Sequence, residues 1–150
     1  MGIFGMFGKK KDGAEGGDYD GDMVGMMKMM AGMPDTMRKP MMKSRLTQIL
    51  SLPEERRQES IRHMIGAFYS PEIADGDRDK LITTRVEIVG EMSEDDRRAM
   101  MISRTMALKD APQLEEADQQ VTKRVLPMVS ESTRVAFTST MADLKQAMSS

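Results

Sequence analysis

Two stretches of this sequence match each other and decide the predicted fold: residues 45–57, RLTQILSLPEERR, and residues 85–98, RVEIVGEMSEDDRR. Each contains an apolar half, a short break and a charged half. At the breaks, Ser51 and Ser93 stand three residues before an acidic residue, which is the spacing of a helix capping box. Pro53 suits the first turn of a helix, where its missing N–H costs nothing. Each stretch therefore predicts a helix, a tight break and a second helix.

The pattern continues along the chain, with a fainter third copy over residues 123–134. After the three breaks, apolar residues recur at helical spacing over residues 61–68, 101–108 and 137–148. The sequence thus predicts an all-α fold of about six amphipathic helices in three hairpins, packed as a bundle or a short HEAT-like array. The β-branched residues between Ile82 and Val89 are also compatible with a strand.

The composition changes near residue 42. Residues 1–42 hold 11 of the 19 methionines and most of the glycines, whereas residues 43–150 have an ordinary charged and amphipathic composition. Alternating glycine and aspartate over residues 12–22 is typical of a linker. We therefore expect a partly disordered Met/Gly-rich arm over residues 1–42, with a short helix at about residues 22–33, and a helical domain over residues 43–150.

The methionines of this short helix are the first candidate binding residues. Methionine side chains are flexible and adapt to apolar partners of different shapes, so a methionine-rich helix suits a docking surface. In composition, the segment resembles the methionine-rich signal-sequence-binding domain of the signal recognition particle, whose GTPase domain and basic RNA-binding helix have no counterpart here. The residues expected to contact a partner are Met23, Met26, Met27, Met29, Met30 and Met33.

Two other interpretations of the same methionines stay open. Thioethers are soft ligands for Cu(I), and Met26, Met29 and Met33 fall on one face of a helix. The methionines could equally pack against the protein's own helices or against a second copy of the chain. The sequence alone does not separate a docking surface from a core.

The first residues of the chain form a candidate membrane contact. A short apolar run precedes three lysines, and it is too short to span a bilayer. Such a run could place apolar side chains at a membrane interface while the lysines meet the head groups, giving a reversible contact. The residues concerned are Phe4, Met6, Phe7, Lys9, Lys10 and Lys11.

Most catalytic chemistries lack the residues they need. The chain has no cysteine and one histidine, which excludes thiolate metal sites, a thiol nucleophile and a multi-histidine centre. No nucleophile-elbow serine or phosphate-binding glycine loop is present. The formal net charge of −2 provides no general attraction to nucleic acid. We therefore expect a protein that is not an enzyme, has no cofactor and no metal, and does not bind nucleic acid.

These observations favour interaction as the function. Our first hypothesis is a non-catalytic accessory or scaffold protein that docks, through the methionine-rich arm, to a protein subunit, to a copy of itself or to a membrane interface. The alternatives are a chaperone-like carrier of hydrophobic peptides or lipid, and a Cu(I) binder. Because no export signal is evident, we expect a cytoplasmic protein associated with a complex or a membrane.

Overall fold

The computed structural model describes the backbone of residues 16–149 and the side chains of residues 22–149. This part of the chain is entirely helical, so the all-α prediction is confirmed, and the run from Ile82 to Val89 lies within a helix rather than a strand. The six predicted helices are present, and the helix predicted at residues 22–33 makes a seventh that begins earlier. The helices are α1 (Gly16–Ala31), α2 (Asp35–Leu50), α3 (Glu54–Phe68), α4 (Asp75–Glu91), α5 (Glu94–Ala107), α6 (Pro112–Val125) and α7 (Glu131–Met148), with a 3₁₀ turn at Leu126–Met128 before α7.

Five of these helices begin with the same arrangement of residues. An apolar residue, then a proline, alanine or serine, precedes an acidic first residue, and the fourth residue of the helix is arginine. That arginine donates a hydrogen bond to the carbonyl oxygen of the apolar residue five positions earlier, which fixes the turn between successive helices. The pairs are Arg38 with Met33 (2.6 Å), Arg57 with Leu52 (3.0 Å), Arg78 with Ile73 (2.9 Å), Arg97 with Met92 (2.7 Å) and Arg134 with Val129 (3.3 Å).

Helix α6 departs from this arrangement. Its fourth residue is Glu115, and Asp110 occupies the position that is apolar in the other five. Pro112 begins the helix, and no side chain caps it. The turn before α6 therefore lacks the arginine contact that holds the other turns.

The helices pack in an alternating order. Helices α1, α3, α5 and α7 pack successively against one another, and so do α2, α4 and α6. This two-layer order, in which each helix meets the second one along the chain, is typical of helical repeat arrays such as HEAT units. The array closes at its end because α7 also packs against α4. There Gly90 lies so close to Thr133 that a Cβ at residue 90 would be 2.5 Å from the Thr133 Cγ2 atom.

The predicted division of the chain at residue 42 is wrong for the residues that the structure describes. Residue 42 lies inside α2, and the Met42 side chain is completely buried. Helix α1 packs against α3 and α4, so residues 22–42 contribute to the same core as the later helices. The glycine content of this segment predicts flexibility, but Gly25 lies on the exposed face of α1 while most of its methionines pack inward. Residues 1–15 lie outside the described part of the chain.

Candidate ligand-binding cavity

A cavity of about 800 Å³ separates α6 from α5 and α7. Helix α6 packs against α4 and α3, but nowhere in residues 112–125 does its backbone come close to that of α5 or α7. The side chains of α3 and α4 line the remaining sides of the cavity. Its volume falls within the range of sites that bind small molecules and cofactors.

Most of the cavity wall is apolar and rich in methionine. Helices α3, α5 and α7 supply most of these side chains, and on α7 they form one stripe at helical spacing. Met141 and Met148 are 43% and 52% exposed, so the cavity opens to solvent along α7. Thioether side chains adapt to ligands of irregular shape. The apolar lining residues are Ile61, Met64, Ile65, Val89, Met100, Met101, Leu126, Phe137, Met141, Leu144 and Met148.

Helix α6 supplies the polar wall. Glu115, Gln119, Thr122 and Lys123 follow one another along one face of this helix. Lys145 joins them from α7. The cavity is therefore amphipathic, with methionines on α3, α5 and α7 and with polar groups that are most numerous on α6.

A buried ionic network holds α6 across the gap. Asp118 of α6 is completely buried, and its Oδ1 accepts hydrogen bonds from Arg85 Nη2 and from the Tyr69 hydroxyl, both at 2.8 Å. Its Oδ2 accepts from Arg104 Nε at 2.9 Å. Arg104 of α5 also contacts the Oε1 atom of Glu115 at 3.0 Å. Charge-assisted bonds of this kind fix both distance and direction, so the separation between α5 and α6 is braced by the chain itself.

The network determines the protonation of its members. Burial by itself would raise the pKa of Asp118, but the guanidinium groups of Arg85 and Arg104, with the hydrogen bonds from Arg85 and Tyr69, lower it below its ordinary value. Burial and the Asp118 charge raise the pKa of Tyr69, so its hydroxyl stays protonated and donates to the carboxylate. The carboxylate of Asp118 is thus ionised at neutral pH and held by donors on three sides.

Arg85 is the one member of the network with an unsatisfied donor. Its Nη2 donates to Asp118 and, at 3.2 Å, to the Thr122 hydroxyl, and its guanidinium lies over the Phe68 ring with 5.5 Å to the centroid. The Nη1 atom is buried and has no hydrogen-bond partner within the described residues. Such groups are rare in folded proteins and concentrate at sites of function or strain.

Acid should weaken the network in a defined pH range. Because the folded pKa of Asp118 is depressed, its carboxylate stabilises the fold fully above the ordinary value of 3.8, and this contribution is lost as the pH falls through the lower folded value. We expect urea unfolding measured from pH 5 downward to show a steeper loss of stability in the wild type than in Asp118→Asn. Equal slopes for the two proteins would contradict this assignment.

The methionines predicted to dock a partner do not form a common surface. Met23, Met26, Met27 and Met30 are buried in the core of the protein, Met33 is half-buried against that core, and only Met29 is exposed. The prediction of a six-methionine docking face is therefore wrong, because α1 turns most of its thioethers toward α3 and α4 and ends at Ala31, before Met33.

A positive charge beside two of the candidate methionines disfavours the Cu(I) interpretation. The guanidinium of Arg45 donates to the Met23 Sδ at 2.9 Å and to the Met26 Sδ at 3.6 Å. A cation at Met26 would lie beside this positive charge and be repelled by it. Among residues 22–149, no group of three or more histidine, cysteine or acidic side chains is arranged to hold a metal ion.

The six residues of the predicted membrane contact, Phe4, Met6, Phe7, Lys9, Lys10 and Lys11, lie outside the described residues. No helix in the described part of the chain combines the length and the apolar character needed to cross a bilayer.

Comparisons with protein-family models, curated proteins and solved structures found no match to this chain.

Proposed function

We propose that this chain is a non-catalytic binding protein that holds an apolar ligand in the cavity between α6 and helices α5 and α7. One observation carries the proposal: α6 lies apart from α5 and α7, and the walls of the resulting space present five thioethers. This role corresponds to a carrier of hydrophobic molecules. It does not depend on an N-terminal docking arm.

The ionic contacts between α5 and α6 favour the interpretation of the cavity as a binding site over its interpretation as a packing defect. Oriented charged groups that span a cavity are not expected where the cavity results only from poor packing. Here Arg104 reaches from α5 to both Asp118 and Glu115 on α6. These bonds fix the distance between α5 and α6. The site is therefore formed before a ligand binds. A preformed site binds with less loss of conformational entropy than one that must be ordered.

A cavity-filling substitution tests this function. Thr138 lines the cavity from α7, and Thr138→Phe would place a ring in the space while keeping the helix intact. We expect the wild type to bind the uncharged fluorescent dye N-phenyl-1-naphthylamine with saturation, and the variant to bind it about tenfold more weakly, a loss of about 1.4 kcal/mol.

Thr47→Phe is the matched control, because Thr47 is exposed on α2 and does not line the cavity. Its dye binding should equal that of the wild type, and circular dichroism of all three proteins should show the same helix content. Equal dye binding by Thr138→Phe and the wild type would refute the proposed site, as would an absence of saturable binding.

A further inference from the structure

Positive and negative charges cancel in the buried ionic network beside the cavity, but positive charges are in excess at the cavity rim. Two guanidinium groups, Arg85 and Arg104, face two carboxylates, Asp118 and Glu115, so the network is neutral overall. The remaining charged lining residues are Lys123 and Lys145. Both are exposed, and the ion pairs found among residues 22–149 include neither of them. The cavity therefore carries an excess of two positive charges at its edge.

These lysines lie on facing walls of an otherwise methionine-rich space. Lys123 projects from the polar face of α6, and Lys145 lies between Met141 and Met148 on the apolar stripe of α7. From Phe137 to Met148 the stripe extends about 16 Å, at the rise of about 1.5 Å per residue of an α-helix. A molecule that fits such a site would be elongated, apolar along most of its length and negatively charged where it meets the rim.

Resting on the proposed function, we infer that the ligand is a single-chain anionic amphiphile, a long-chain carboxylate or phosphate monoester. Its hydrocarbon chain lies against the thioethers of α5 and α7, and its head group meets the lysine ammonium groups at the rim. Burial of the chain supplies most of the affinity, because hydrophobic stabilisation scales with the apolar area removed from water. The lysines supply the preference for a negative head group, which added salt should weaken.

A series of probes with one chain and different head groups tests the inference. Dodecanoate and dodecyl phosphate are the anionic members, dodecyl maltoside is the neutral one and dodecyltrimethylammonium is the cationic one, each titrated below its micelle concentration against the dye complex. We expect the two anions to displace the dye at concentrations about tenfold lower than the neutral probe, equivalent to about 1.4 kcal/mol. The cationic probe should be the weakest. If only the phosphate shows the advantage, a phosphate ester is the ligand class, and if both anions share it, charge alone is recognised.

The double variant Lys123→Gln/Lys145→Gln assigns the preference to these residues. It should bind dodecanoate and dodecyl maltoside equally while still binding the dye. Lys43→Gln/Lys109→Gln removes the same charge from exposed lysines that do not line the cavity, and it should keep the full anion preference.

Several outcomes would overturn the inference without refuting the cavity itself. Equal affinities of the wild type for the anionic and neutral probes would do so, as would retention of the preference in Lys123→Gln/Lys145→Gln. Displacement of the dye by an uncharged apolar peptide, with none by any dodecyl probe, would show that a peptide is the ligand. Failure of the dye to bind the wild type at all would instead refute the proposed function.

Discussion

Replacing Asp118 with alanine is expected to lower the free energy of unfolding by about 3–5 kcal/mol, the usual effect of breaking a buried ion pair. The carboxylate is completely buried and accepts bonds from Arg85, Arg104 and Tyr69. After its removal, Arg104 still has Glu115 as a partner. Arg85 loses its carboxylate partner and is left with an uncompensated charge in the interior. Urea unfolding followed by circular dichroism measures the change.

Asp110→Ala is the control for this prediction. Asp110 is exposed in the turn before α6, and its loss should change the stability by no more than about 0.5 kcal/mol. A loss below about 1 kcal/mol for Asp118→Ala would mean that the network does not brace α6.

Replacing Met27 with alanine should destabilise the whole protein by about 2–5 kcal/mol, as for other buried methionines that are truncated to alanine. Met27 is completely buried in α1, within the segment that composition alone suggested to be a separate arm. Because α1 packs against α3 and α4, the loss should appear as one cooperative transition at a lower urea concentration.

Met29→Ala supplies the matched comparison, because this methionine is two residues away on the same helix and is exposed. Its effect should stay within about 0.5 kcal/mol. If Met27→Ala left the main unfolding transition unchanged, residues 22–42 would be an independent arm after all.

The helices could be predicted from the sequence because their starts are encoded locally. Ser93 accepts a hydrogen bond from the backbone N–H of Asp96, as the capping-box spacing predicts. Ser130 likewise accepts from the N–H of Thr133, although no acidic residue follows it at the capping-box spacing. The same prediction for Ser51 is wrong, because Pro53 is the residue that precedes α3 and the Ser51 hydroxyl donates to the Gln48 carbonyl oxygen instead. Such signals act over a few residues, so they survive without knowledge of the tertiary structure.

The burial of α1 could not be predicted in the same way. Its apolar residues are spread around much of the helix, so periodicity does not say which side is covered. A methionine in a core and a methionine on a docking surface look alike in sequence. Only the packing of α1 on later helices distinguishes them.

The sequence contains a feature that marks the position of the cavity. Arginine occupies the fourth position of five helices, and α6 has Glu115 there instead. A repeat that fails at one helix marks the place where the regular array is interrupted. The spatial result, a gap between α6 and helices α5 and α7, depends on contacts between residues far apart in the sequence and could not be derived from spacing.

Methionine methyl resonances test the binding site most directly. With the methyl groups labelled with carbon-13, the protein is titrated with dodecanoate and its methionine signals are followed by NMR. We expect shifts at the cavity residues Met64, Met100, Met101, Met141 and Met148, with little change at the buried Met23, Met27, Met30 and Met42 or at the exposed Met29 and Met37. Shifts centred on Met29 and Met37, or spread evenly over all the methionines, would contradict the proposed binding site.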